Sequence, residues 1–125
     1  MDNVSVRYIV DDVEAAIAFY TKRLGFDLEL HPAPGFAMLS RGPLRLLLNA
    51  PGAGGAGQPT PGGEMPKPGG WNRIQLQIDD LDGIVDDLRE AGAHFRNEIV
   101  TGQGGRQILV DDPAGNLVEL FEAGG

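Results

Sequence analysis

The chain contains no cysteine. Disulfides, thiolate metal sites and thiol nucleophiles are therefore excluded, and a cytoplasmic setting is the expectation. No apolar run approaches the ~18–20 residues that a membrane-crossing helix needs. The opening residues, MDNVSVRYIV, lack the basic start, apolar stretch and small-residue cleavage site of a secretory signal. Basic residues are scarce: 10 Lys and Arg stand against 18 Asp and Glu, for a net charge of −8. A nucleic-acid binder carries a basic patch or stripe, and none is visible, so neither nucleic acid nor membrane is an expected partner. The acidity serves solubility, and it also allows a preference for cationic ligands. Hydrophobic side chains are plentiful, at 42% of 125 residues. That suffices for one compact domain or two small repeated modules.

Two segments repeat. VDDVEAAIAFYTKRLGF (10–26) aligns with IDDLDGIVDDLREAGAHF (78–95), and each follows an alternating strand. Asp12 and Asp80 stand where a helix N-cap belongs, each with a further acid in the first turn. Val13, Ala16, Ile17, Tyr20 and Leu24 fall on one helical stripe, as do Leu81, Ile84, Val85 and Leu88. Gly25 and Gly92 sit where a left-handed cap residue is wanted. The spacing predicts helices at about 12–24 and 80–91. Short β-type runs follow each helix: DLELH, GFAMLS and LRLLLN in the first half, HFRNEIV, RQILVD and NLVELFE in the second. The order is β-α-β-β-β, twice. Residues 50–70, APGAGGAGQPTPGGEMPKPGG, are dominated by Pro and Gly and read as a linker or a flap between module one (1–49) and module two (71–125). GQGGR (102–106) does not open a helix as a phosphate loop would, and reads as a turn before the seventh strand.

The segment WNRIQLQIDD (71–80) raises a separate question. Ile74, Leu76 and Ile78 alternate with Arg73, Gln75 and Gln77, which is a strand with one apolar face. Its polar face carries an arginine and two glutamines, with Trp71 on the same parity. Such a face can look at bulk water or into a site.

A doubled β-α-β-β-β unit with VDDVEAAIAFYTKRLGF, the repeated IDDLD and the C-terminal DDPAGNLVELFE resembles the vicinal oxygen chelate superfamily, which includes glyoxalase I, extradiol dioxygenases and bleomycin-resistance proteins. The last motif is the most specific: Asp112, Pro113 and Gly115 form a turn and Glu119 follows on the final strand. The resemblance spans essentially the whole chain. It implies an α+β fold in which two β-α-β-β-β modules form a curved mixed sheet, helices on the convex face and the site on the other. Ile74, Leu76 and Ile78 would then face a helix. Ser5, Arg7 and Ile9 on the first strand, Trp71, Arg73, Gln75 and Gln77 on the fifth, Gln107 and Leu109 on the seventh, and Leu117, Glu119 and Phe121 on the last would line the site.

Metal-dependent members of that family hold a divalent ion at places that fall here on Ser5, Arg73 and Glu119, with a further place near Leu46. Of these only Glu119 carries a ligating side chain of the expected kind, whereas a mononuclear site wants about three or four donors. Arginine is permanently protonated and repels a cation. His31 and His94 lie elsewhere, near the second strand of each module, and Glu98 and Glu122 have no positional argument. No metal and no cofactor are expected. The Arg73 guanidinium is expected to fill the place of the cation and pair with Glu119, directly or through a water. The resulting expectation is a small-molecule-binding protein of the bleomycin-resistance type, taking a small organic ligand. The alternative is a lyase, isomerase or dioxygenase-like enzyme, either metal-dependent or using Glu119 as base with Arg73 stabilising a developing anion. A third possibility is a paralogue with no ligand. Sheet edges that want covering lead to the expectation of a homodimer.

Overall fold

A computed structural model describes residues 3–124. The chain runs as two successive β-α-β-β-β units, divided by contacts between Gly69 and Gly70.

The first unit contains β1 (Val4–Ile9), α1 (Val13–Arg23), β2 (Asp27–Ala33), β3 (Phe36–Arg41) and β4 (Leu44–Asn49). Its sheet has the order β1-β4-β3-β2, with β1 parallel to β4 and the other pairs antiparallel. The Asp12 carboxylate caps α1 by accepting from the Ala15 amide at 3.0 Å. Glu14 in the first turn and Lys22 and Arg23 in the last complement the helix dipole. The Tyr20 carbonyl accepts from the amides of both Leu24 and Phe26, and Gly25, at φ 75°, makes the left-handed turn between them. The helix buries Val13, Ala16 and Tyr20, while Ile17 is only half-buried. Tyr20 meets Phe19 and Phe26 edge to face. The core is completed by Tyr8, Ala37, Leu39, Leu46 and Leu48. Those strand residues share one face, so the other face of the sheet carries Ser5, Arg7, Ile9, Arg45, Leu47, Asn49, Phe36, Met38 and Ser40. β2 is longer than the expected DLELH and reaches Ala33, through two register shifts. Pro32 is tolerated because β2 is an edge strand.

The Pro/Gly-rich segment is not featureless. Residues 50–58 are knit together by Gly52 N–H to Gly57 O, Gly57 N–H to Ala53 O and Gln58 Nε2 to Gly52 O, and tied to the β2–β3 turn by Ala50 N–H to Gly35 O. Gly57 is buried. A second turn closes between Thr60 and Glu64.

The second unit contains β5 (Arg73–Gln77), α2 (Leu81–Glu90), β6 (Val100–Thr101), β7 (Gly105–Asp111) and β8 (Leu117–Ala123), in sheet order β5-β8-β7-β6. Again the first strand is parallel to the last. Asp80 caps α2 by accepting from Gly83 N at 3.1 Å, and Gly92, at φ 83°, follows its end. Leu81, Val85 and Leu88 meet the apolar face of Ile74, Leu76, Ile108, Val110, Val118 and Leu120, all buried. Ile78 lies beyond the end of β5 and is half-buried.

HFRNEIV does not form the expected strand. Only Val100–Thr101 pairs as β6, and Phe95 makes one isolated bridge to Val110. The cause is Asn97: its side-chain oxygen accepts from the Leu109 amide at 2.9 Å, taking the place of a backbone carbonyl in the ladder. GQGGR forms the β6–β7 turn and opens β7. Gly105 (φ 152°) is required there, since a Cβ would run into the Glu122 carbonyl.

Candidate functional site

The polar side of β5 faces a carboxylate. Parallel pairing sets Arg73 beside Leu117, Gln75 beside Glu119 and Gln77 beside Phe121. Antiparallel pairing on the other flank of β8 sets Leu109 beside Glu119 and Gln107 beside Phe121. The expected residues Arg73, Gln75, Gln77, Gln107, Leu109, Leu117, Glu119 and Phe121 therefore share the face of this sheet turned away from α2.

At its centre lies Glu119, 7% exposed. Arg73 Nε and Nη2 both reach Glu119 Oε1, each at 3.0 Å. Gln75 Nε2 donates to Glu119 Oε2 at 2.6 Å. Both carboxylate oxygens are thus held by donors from the neighbouring strand, which is how a buried charge is compensated. The Arg73–Glu119 pair expected from the sequence is direct. Gln107 and Phe121 are half-buried in the next row, and Gln75 and Gln77 are exposed.

Trp71 precedes β5 and is 69% exposed. Its carbonyl accepts from Arg73 Nη1 at 3.4 Å, and the Arg96 guanidinium lies 5.8 Å from its ring centroid. Arg96 is itself held by Asp111 Oδ1 at 2.8 Å, while Asp111 Oδ2 takes His94 Nδ1 at 2.7 Å. His94, Arg96 and Asp111 all lie outside the residues expected to line the site. Their grouping depends on the irregular backbone of residues 94–99, which no periodicity announces.

A different ionic cluster sits at the start of α2. Arg106 contacts Asp82 Oδ2 at 3.0 Å and Glu122 Oε1 at 2.7 Å, and Glu122 Oε2 accepts from the Leu81 amide at 3.0 Å. Hydrogen bonding and charge from Arg106 hold the Asp82 carboxyl below the usual range. The Leu81 amide first, and Arg106 second, hold Glu122 below its usual value. The two carboxylates raise Arg106 further above its already high value. A shallow depression of about 270 Å³ lies beside this cluster, lined by Thr101, Gly102, Gln103, Gly105, Arg106, Glu122, Ala123 and Gly124. Its one cation is already doubly paired, and the cluster fastens β7 and β8 to the helix start.

In the first unit Ser5 and Arg7 are exposed on the face turned away from α1. Leu46 is not on that face. It is fully buried in the core, and Arg45 and Leu47 occupy the alternate positions. The strand LRLLLN is nearly apolar throughout, so its alternation could not be phased from composition. Asn49, missed for the same reason, ends that face with its Oδ1 buried and unpartnered.

Among the described residues no three His, Asp or Glu side chains gather closely enough to hold a metal ion. Glu119 is a single carboxylate already bonded by a guanidinium and an amide. That donor set does not fit a divalent cation, which needs several anionic or neutral donors and no adjacent fixed positive charge.

The family model of the Glyoxalase/Bleomycin resistance protein/Dioxygenase superfamily matches residues 4–120. Among solved structures, a member of that superfamily from Sphaerobacter thermophilus is 28% identical with a TM-score of 0.76, over 98% of this chain and 97% of the other. TnmS3, an antibiotic binding protein from Streptomyces sp. CB03234, is 23% identical with a TM-score of 0.73, over 99% and 97%. A lactoylglutathione lyase from Agrobacterium tumefaciens is 22% identical with a TM-score of 0.70, over 98% and 92%. The search of curated proteins gave no match.

Proposed function

Because the chain belongs to the Glyoxalase/Bleomycin resistance protein/Dioxygenase superfamily, we propose that it binds a small organic molecule and does so without a catalytic metal. The observation that carries this reading is the Arg73–Glu119–Gln75 network. A guanidinium sits against the carboxylate where a cation would be wanted, and Gln75 takes the remaining oxygen. The same arrangement argues against Glu119 as a general base, since both of its oxygens already accept hydrogen bonds. The ligand-contacting residues on this reading are Trp71, Arg73, Gln75, Gln77, Gln107, Glu119 and Phe121 of the second unit, and, considered on the first sheet by itself, Ser5 and Arg7. Exposed Trp71 and half-buried Phe121 supply apolar contact, and the amides supply orientation. The likeness to an antibiotic binding protein supports the class of function.

The reading extends to a cytoplasmic homodimer that takes no nucleic acid. All four arginines of the second unit are ion-paired, which leaves no basic stripe there. None of the described helices is long and apolar enough to cross a membrane. The test is elemental analysis of protein purified without chelators, followed by thermal-shift titration with zinc, nickel and manganese. The expected result is substoichiometric metal and an unchanged Tm, because a ligand specific for the folded state raises Tm by mass action. One metal per chain, lost on Glu119→Gln, would refute the reading.

A further inference from the structure

The arginines of the two units differ in one respect. In the second unit Arg73, Arg89, Arg96 and Arg106 each hold a carboxylate. In the first, Arg7 and Arg45 hold neither an ion pair nor a hydrogen bond with any described residue, although acids outnumber bases in the chain by 18 to 10. Both are exposed, and both project from the face turned away from α1.

Register places them together. Ser5 pairs with Arg45 and Arg7 with Leu47 across the parallel β1–β4 ladder. Arg7 and Arg45 are therefore diagonal neighbours, with Cα atoms about 8 Å apart by strand spacing and rise. The Ser5 hydroxyl, beside Arg45, has no hydrogen-bond partner among the described residues either. Leu47 and Met38, opposite each other on β4 and β3, are half-buried and form an apolar floor next to the pair. Opposite Arg45 stands Ser40 of β3, whose hydroxyl engages Glu29 at 2.8 Å and which pairs with Asp27, so the acids of β2 begin just beyond β3, one intervening strand from Arg45. The positive end of the face is thus confined to β1 and β4.

Two like charges side by side repel, and an acidic chain has carboxylates enough to neutralise them. From their unpaired state we infer that the β1–β4 face of the first unit is an anion-recognition site. Arg7 and Arg45 clamp the carboxylate or phosphoryl group of an organic anion, Ser5 donates a further hydrogen bond, and the apolar body lies on Leu47 and Met38. Paired guanidinium forks suit planar or tetrahedral oxyanions. This site is built from first-unit residues alone, so it stands or falls separately from the metal-free Arg73–Glu119 reading.

The test is a titration of the ¹⁵N-labelled chain with phenyl phosphate, followed by amide NMR. Amides of β1 and β4 should shift to saturation. Arg7→Gln and Arg45→Gln should each weaken binding about tenfold, the size expected for losing one charge-assisted contact. Arg23→Gln, the same charge change at the end of α1, should alter it less than twofold. Both glutamine variants change exposed side chains, and a native-like spectrum of each is the check that it folds. Benzoate separates a carboxylate site from a phosphoryl site, and binding of either anion with the same arginine dependence upholds the inference. Phenol binding as tightly as the anions, equal losses in Arg23→Gln, shifts confined to other strands, or no saturation with either anion would each overturn it.

Discussion

Arg73→Ala is the perturbation that bears most directly on the second sheet. Glu119 is buried at its centre, and three donors serve it: two nitrogens of Arg73 at 3.0 Å and Gln75 at 2.6 Å. Removing Arg73 leaves a carboxylate with one neutral donor. Breaking a fully buried pair costs about 3–5 kcal/mol, and an exposed pair is worth about 0–1. Here the carboxylate is 9% exposed but the arginine side chain is 31% exposed, so water partly screens the pair and can partly replace it. An intermediate loss of about 1–2 kcal/mol follows. For a chain of this size that corresponds to a fall in Tm of roughly 4–8 °C. The assay is thermal or urea unfolding of Arg73→Ala, Glu119→Gln and the double variant. Glu119→Gln removes the charge and keeps an amide beside Gln75, so the double variant should be less impaired than the sum of the singles. A coupling of about 1 kcal/mol is expected for residues in one network. Additive losses, or an Arg73→Ala variant within 1 °C of the parent, would refute the pairing as an energetic fact.

Two further outcomes follow from the second unit. The folded values of Asp82 and Glu122 lie below their ordinary 3.8 and 4.5, so their contribution is present in full at neutral pH and is lost as pH falls from about 4.5 through those lowered values. The stability gap between the parent and Arg106→Gln should therefore be constant from pH 7 to 5 and narrow below pH 4, measured by chemical denaturation; a gap independent of pH would contradict the linkage. Gly105→Ala should destabilise by about 1–3 kcal/mol, read as an earlier urea midpoint, because the added Cβ meets the backbone of β8 and the φ of 152° disfavours an L side chain.

The elements were legible where one local signal sufficed. Asp12 and Asp80 marked helix starts, Gly25 and Gly92 marked their ends, and the alternation of RIQLQ phased β5 without ambiguity. Phasing failed in LRLLLN, where apolar residues occupy both faces and only register with β1 and β3 places Leu46 inward and Arg45 outward. Residues 94–99 failed for another reason: the Asn97 side chain replaces a ladder acceptor, a tertiary choice that composition cannot disclose. The Arg73–Glu119 pair was legible only through resemblance, since 46 residues separate the partners and the parallel β5–β8 register alone makes them adjacent.

The segment that most specifically announces the family does no chemistry that the structure reveals. Asp112 is 3% exposed, and its Oδ1 accepts from the amides of Ala114 and Asn116, both at 2.9 Å. Its own amide donates to the Asn116 carbonyl at 2.8 Å, and Gly115, at φ 89°, makes the reversal possible. DDPAGN is therefore a turn that delivers the chain from β7 into β8 in register, and that register is what places Glu119 between Gln75 and Leu109. The hydrogen bonds just named lie within the turn itself and involve no side chain of β5. Family membership accordingly transfers the scaffold. In this chain Arg73 and Gln75 together fill three of the roughly four acceptor positions of the Glu119 carboxylate, so the turn fixes where the carboxylate stands and β5 fixes what it meets.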